Sequence, residues 1–310
     1  MTDVNIGELV TVSLRNRSGK LSDNITNHNA LLKKMQMRGN VKVADGGRDI
    51  VQEIEYAENG TVAWASEWEQ IDTTPQQFAD ASTWDWKNLV GSISMSGLEE
   101  VKNSGKERII NHLEAKIDNL EKSLSNQLAE SLFSDGTTAK EIGGLRFIVA
   151  DDPTASSTVG GIAQNTYTWW RNKTGTNTAT TSTLPGAMNT LYLQLIRGTD
   201  KPDIIVSDST YYGAYEASLQ ALQRFQDDAM ANAGFANISY KGIPVVYDAN
   251  CPARMYFLNS EYLFLRPYKN QFDKLDRRNS YNQHAFTIPV VWYGNLTCSN
   301  RKLQGVIKPS

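Results

Sequence analysis

The sequence predicts an α+β fold, and three observations predict it. Two stretches, near residues 49–56 and 83–96, alternate apolar and polar side chains with the period of a half-buried strand. One stretch, from about residue 104 to 134, carries the helical period instead. Beyond residue 143, short apolar runs with Gly and Pro punctuation alternate with helical segments and end in a β-rich tail. With 310 residues, the chain suffices for one large domain or two modest ones.

Residues 1–47 show weak periodicity and read as an arm, with "NHNALLKKMQMRG" as a short helix. "NRSGKLSDN" and "ADGGRD" read as turns, because paired Gly and Asx residues reach positive φ at little cost. Residues 48–96 read as strand, long tip, strand. Ile50, Ile54 and Tyr56 alternate with charged neighbours, and Trp84, Trp86, Val90, Ile93 and Met95 mark the return. Four of the seven tryptophans, Trp64, Trp68, Trp84 and Trp86, fall in this hairpin among polar residues. A two-stranded hairpin is marginal in water and needs a surface to lie on. The alternative is that these indoles pack within their own domain.

The next stretch, "GLEEVKNSGKERIINHLEAKIDNLEKSLSNQLAESLFSDG", places Ile109, Leu113, Ile117, Leu120, Leu124, Leu128 and Leu132 at intervals of three and four. Ser104 suits the N-cap and Asp135-Gly136 the stop, giving a helix roughly 45 Å long at about 1.5 Å per residue. Four heptads with an Ala- and Ser-rich remainder favour a long packed helix over a coiled coil. "GGLRFIVADD" then reads as a strand ending in a loop. A Thr-rich polar stretch around Trp169-Trp170 follows, then a helix opened by Pro185, the buried strand "DIIVS", and a helix capped by Ser207 or Asp208. "FANISYKGIPVVYDANCPARMYFLNSEYLFLRPY" supplies short strands, and the tail is β-rich and apolar.

Composition limits the function classes. Hydrophobic residues at 40% and charged residues at 21% are ordinary for a globular chain and argue against disorder. A net charge of -3 argues against a dedicated nucleic-acid binder. No apolar run approaches the ~20 residues of a membrane helix, and no signal peptide is visible. Cys251 and Cys298 sit in apolar, strand-like segments and read as buried free thiols.

Chemistry-bearing motifs are missing. "NRSGK" lacks the leading glycine of a phosphate loop, and no GxGxxG follows a strand. His28, His112 and His284 are scattered, with His112 beside the long helix's apolar stripe. Asp151-Asp152 point to opposite faces of an extended chain and read as a solvated loop. Ser207 lacks the GxSxG turn of a nucleophile. Arg277-Arg278 read as a solvated turn or a contact to a neighbouring subunit. No catalytic residue, cofactor or metal is expected, and a structural or assembly role gains weight.

The order of these elements resembles the major capsid proteins of tailed bacteriophages with the HK97-type fold. The resemblance runs through "MSGLE" before the long helix, "GGL" after it, "TVGGI…YTWWRNK", "PDIIVSDSTYYGAYEASLQALQRF" and "KGIPVVYDANCPARMYFLNSEYLFL". It implies an N-arm (1–47), an extended E-loop hairpin (48–96), a P-domain (97–142 plus 265–310) with a spine helix at about 104–134, and an A-domain (143–264). It implies pentamers and hexamers of an icosahedral or prolate shell around double-stranded DNA, held in the virion and assembled in the bacterial cytoplasm. The implied partners are copies of the chain, a separate scaffolding protein, a portal at one vertex, a decoration or cement protein, and DNA contacted non-specifically; no membrane is involved. A fused scaffold-like helical segment ahead of the arm is not expected. Trp64, Trp68, Phe78, Trp84, Trp86, Arg277 and Arg278 become the inter-subunit contact candidates. The family's Lys–Asn crosslink is not expected, because Ile50 to Ser82 contains no lysine. An encapsulin-like shell around a cargo enzyme is the alternative, and an α/β enzyme built on residues 143–264 is a more distant one.

Overall fold

A computed structural model describes residues 29–102, 106–219, 237–269, 273–279 and 281–310. Helix α1, Ala30–Met37, opens it. Asn29 caps α1 by accepting from the Leu31 and Leu32 amides, and Ala30, Leu31, Leu32 and Met35 are all buried. The short helix expected within the arm is present, and it sits in the chain's own core. Residues 1–28, including His28, lie outside the described residues.

Strands β1 (Ile50–Glu55) and β2 (Ala79–Trp84) pair antiparallel, from Ile50 opposite Trp84 to Glu55 opposite Ala79. The expected hairpin is thus real but shorter. The return strand breaks at Asp85-Trp86, and β3 (Lys87–Ser96) leaves β1 to pair with β14 (Ala285–Cys298). Alternation shows that a segment is a strand without showing its partner. The 14-residue β14 offers a ladder ten residue pairs long, against six on β1. Strands β11 (Leu263–Pro267), β12 (Asp273–Lys274) and β13 (Arg278–Asn279) also pair with β14.

A short α2 (Gly97–Lys102) leads to the long helix α3, Lys106–Ser131. Its 26 residues confirm the periodicity, with Ile117, Leu124 and Leu128 buried and Leu132 buried just beyond its end. Ser104 and the side chains of Ile109, His112 and Leu113 lie outside the described residues. Ile117 packs with Ile93, Met95, Phe286 and Ile288. Gly91 permits the close approach of this helix, since a Cβ there would stand 2.5 Å from Leu120 Cδ1.

The expected strand after the helix is a single helical turn, α4, Leu145–Ile148. Its N-terminus is held by Gly144, whose carbonyl accepts from Phe147 and Ile148. Backbone atoms of Ser131, Leu132 and Ser134 crowd the place a Cβ would occupy on Gly144. That contact bends the chain back onto the end of α3 and leaves an extended run no room. Next come the tight hairpin β4–β5 (Thr158–Val159, Ile162–Ala163), strand β6 (Lys173–Thr176) and helix α5 (Leu184–Gln194).

A six-stranded mixed sheet in the order β6-β15-β10-β7-β9-β8 follows, where β7 is Ile204–Ser207, β8 Asn237–Tyr240, β9 Ile243–Tyr247, β10 Met255–Leu258 and β15 Gly305–Lys308. Both faces are covered. Ile204 and Val206 point into the main core, and Ile205 points into a second core beneath α5 and helix α6, Ser209–Ser218. Asp208 caps α6 by accepting from Thr210 and Tyr211. The boundary expected at residue 264 does not separate the sheets, because β15 from the tail lies between β6 and β10. Cys251 sits in a turn rather than a strand, while Cys298 ends β14; both are free and buried.

The second core sets an alkaline limit. Burial pushes the Tyr211, Tyr215 and Tyr240 phenols up to about 12 each. A raised phenol stabilises the fold fully below about pH 10, and that stability is lost as pH rises toward 12. Buried Arg301 runs the other way, its guanidinium pulled down to about 10 by burial, so it offsets about one tyrosine over the same window. The expected result is a urea midpoint that begins to fall near pH 9, where the buried Cys251 and Cys298 thiols, also raised, come into play, and falls further as pH rises through the tyrosine window toward 12. Phenolate absorbance should rise together with unfolding and not before it.

Candidate assembly interface

The hairpin is built as a seated root and a free loop. At the root, Ile50, Ile54 and Trp84 face the main core. The seat is the Gly160-Gly161 turn of β4–β5. Gly160 has φ +60°, and a Cβ there would press on the Trp84 indole at 2.9 Å. The Thr83 amide donates to Gly160 O at 2.9 Å, Trp84 Nε1 donates to Ser82 Oγ at 3.0 Å, and Phe147 meets the indole edge-on at 6.4 Å. Above this, Tyr56 stacks on Trp169 with ring centres 4.6 Å apart. Trp86 is half-buried, donates to Gly47 O at 3.0 Å and meets Tyr268 edge-on.

One expected contact residue is corrected by this geometry. Trp84 is 3% exposed and belongs to its own chain's core. Trp86 donates its N–H inside the chain and stays half-exposed, so it remains a contact candidate. Neither position could be told from Trp64 or Trp68 by spacing, because the partners that seat them, Phe147 and Gly160 for Trp84 and Gly47 and Tyr268 for Trp86, are remote in the sequence.

Strand pairing stops where the Tyr56 amide donates to Phe78 O. Between them the backbone is irregular and shaped by local bonds. Asn59 Oδ1 accepts from Thr61, Asp72 Oδ1 accepts from Thr74, and Glu69 Oε2 accepts from the Ser66 amide. The Thr74 hydroxyl and amide hold the Asp72 carboxyl below its ordinary range. On this loop Trp64 is 103% and Trp68 92% exposed, and Val62, Ile71 and Phe78 are exposed as well. One loop presenting five large apolar side chains is the signature of a contact surface. Val62 and Ile71 were not among the expected contact residues; Val62 adjoins Ala63-Trp64, and Ile71 stands among polar residues. A cleft of about 940 Å³ separates the loop's two limbs from Arg197 and Lys302.

Arg277 and Arg278 lie on a different exposed edge, near β12 and β13. The Arg277 guanidinium carbon stands 3.6 Å from the Phe286 ring centre. Among the described residues, no cluster of His, Cys, Asp and Glu could hold a metal, and no helix is long and apolar enough to cross a membrane. Asp151 takes a two-point pair from Arg254, while Asp152 accepts from Thr154, so the adjacent carboxylates share no ligand.

No family profile matches the sequence, and no curated protein does. Solved structures match over most of the chain. The capsid of cyanophage A-1(L) superposes with a TM-score of 0.63 at 16% identity, covering 88% of this chain and 92% of that one. The capsid of a native GTA particle gives 0.61 at 14% identity, covering 89% and 90%. The chain has the HK97-type capsid fold. The holo-SrpI encapsulin complex from Synechococcus elongatus PCC 7942 shares this capsid fold, with a TM-score of 0.55 at 9% identity, covering 88% and 86%.

Proposed function

We infer that the chain is a major capsid protein of a tailed bacteriophage, a structural subunit and not an enzyme. It assembles with copies of itself into pentamers and hexamers of an icosahedral or prolate shell that encloses double-stranded DNA. The observation that carries this reading is an apolar loop fully open to solvent on a body with a capsid fold. An isolated subunit gains nothing from exposed indoles, whereas a neighbour gains contact area from them. In this reading residues 48–84 act as the E-loop, α3 as the spine of the P-domain, and the six-stranded sheet as the A-domain core. Heterologous contacts close into rings. A separate scaffolding protein guides assembly in the bacterial cytoplasm, a portal occupies one vertex, and a decoration protein supplements the non-covalent wall of the virion. The mildly acidic chain suits a container that does not grip its DNA.

The likeness to the encapsulin complex supports a second reading, a compartment around a cargo enzyme. Negative-stain microscopy of the full chain, expressed alone and with its scaffolding protein, separates them. Regular shells are expected, with DNA inside when the packaging machinery is present. Shells that hold an enzyme and never DNA favour the compartment, and a monomer under every condition overturns both.

A further inference from the structure

The hairpin loop carries the sequence's single Asn-Gly pair, Asn59-Gly60, and both residues are exposed. Asn59 Oδ1 accepts from the Thr61 amide at 3.0 Å and from the Thr61 hydroxyl at 2.7 Å. The Val62 amide donates to Asn59 O at 3.3 Å, which closes the turn. Between these bonds in sequence, the Gly60 amide donates to no acceptor among the described residues. Asn59 Nδ2 is likewise unheld. An amide carbonyl with two donors on its oxygen thus stands beside a backbone nitrogen that nothing restrains.

The same arrangement recurs around three aspartates. Asp72, Asp135 and Asp152 each accept from the hydroxyl and the amide of a threonine two residues on, Thr74, Thr137 and Thr154. There the two bonds, the hydroxyl's first, hold each carboxyl below its ordinary range. Such a pair of donors therefore favours negative charge on the accepting oxygen. At residue 59 that oxygen belongs to an amide, and it gains negative charge only when a nucleophile adds to Cγ. The Gly60 nitrogen is the group placed to add, because it closes a five-membered ring and glycine brings no Cβ to obstruct the approach. Asn259 makes a similar bond to the amide two residues on, but it is buried, and the amide that follows it is held by Asp203.

We propose that Asn59 is a modification site, converted in the folded chain to aspartate and isoaspartate through a cyclic imide formed with Gly60. The Gly60 nitrogen gives its proton to water and bonds to Cγ. The Thr61 hydroxyl and amide take up the charge that develops on Oδ1. The Cγ–Nδ2 bond then breaks, and the side-chain nitrogen leaves with a proton as ammonia. Water opens the imide at either carbonyl, which restores an amide N–H on Gly60 and leaves a carboxylate. Asparagine and water become an acid and ammonia, and nothing is oxidised or reduced. The new carboxylate enters the cleft that Asn59 shares with Arg197 and Lys302. The isoaspartate form also adds a methylene to the backbone of the loop that bears Trp64 and Trp68. None of these steps depends on the chain building a shell.

The test is incubation of the folded full chain at neutral pH, followed by peptide mapping with liquid chromatography and mass spectrometry. Residue 59 should convert ahead of every other asparagine, to both acidic forms. Thr61→Val keeps the amide donor, removes the hydroxyl, and should slow conversion about 10-fold or more. Gly60→Ala should also slow it about 10-fold or more, by impeding the approach. The alanine fits the loop, since a Cβ on Gly60 meets nothing nearer than Gln76 Oε1 at 3.5 Å. Urea midpoints equal to the original's should show that both variants are folded. Conversion at residue 59 no faster than at the other asparagines overturns the proposal, and so does a Thr61→Val chain that converts at the original rate.

Discussion

Replacing Trp64 and Trp68 together with alanine is expected to abolish shell formation and leave the subunit folded. Both rings are fully exposed, so the isolated subunit loses no packing. Its urea midpoint should stay within about 0.5 kcal/mol of the original. In an assembled wall each indole buries up to ~150–250 Å², worth at most about 4–6 kcal/mol per contact before ordering costs. A shell repeats that contact at every subunit, so the loss compounds. Sedimentation and negative-stain microscopy should report free subunits where the original chain gives shells. Unchanged assembly would show that these rings are not part of the contact.

Arg301→Ala should be the most destabilising single change, at about 3–5 kcal/mol. Arg301 is fully buried and faces no carboxylate. Its Nε donates to Ile148 O at 2.6 Å and its Nη1 to Trp170 O at 3.1 Å. Its Nη2 reaches Gln164 Oε1 at 3.0 Å and Asn172 Oδ1 at 3.2 Å. Alanine would strand these acceptors and open a void beside Trp170. Arg301→Lys should cost roughly half as much, since an ammonium carries the charge but not the planar fork. Urea unfolding measures both. The lost partners tie together α4 and the stretch leading from the Gly160 turn to Trp170, which seats the hairpin. Limited proteolysis should therefore cut the Arg301→Ala chain faster between residues 57 and 78.

Much of this architecture was legible in sequence, and the failures share a cause. The long helix could be read because its period lies within the helix itself, and Asp208 could be read as a cap because capping is local. The partner of β3 could not be read, since alternation records one buried face and says nothing of which strand lies alongside. The turn at Gly160-Gly161 was recognisable, but its use as a seat for Trp84 was not. That contact joins positions remote in sequence, and only the tolerance for a missing Cβ hints at it. For the candidate interface, exposure separates Trp64 and Trp68 from Trp84, and local spacing does not encode exposure.

Strand β2 runs into β3 with only Asp85 and Trp86 between them, and β3 lies along ten residues of β14. A tug on the hairpin from outside is therefore delivered lengthwise to that ladder. Its cross-strand bonds meet such a force in shear and share it, where a pull at right angles would open them singly. Resistance of this kind depends on the number of paired residues and not on any one contact. A container wall whose links end in such seams would stretch little as internal pressure grows.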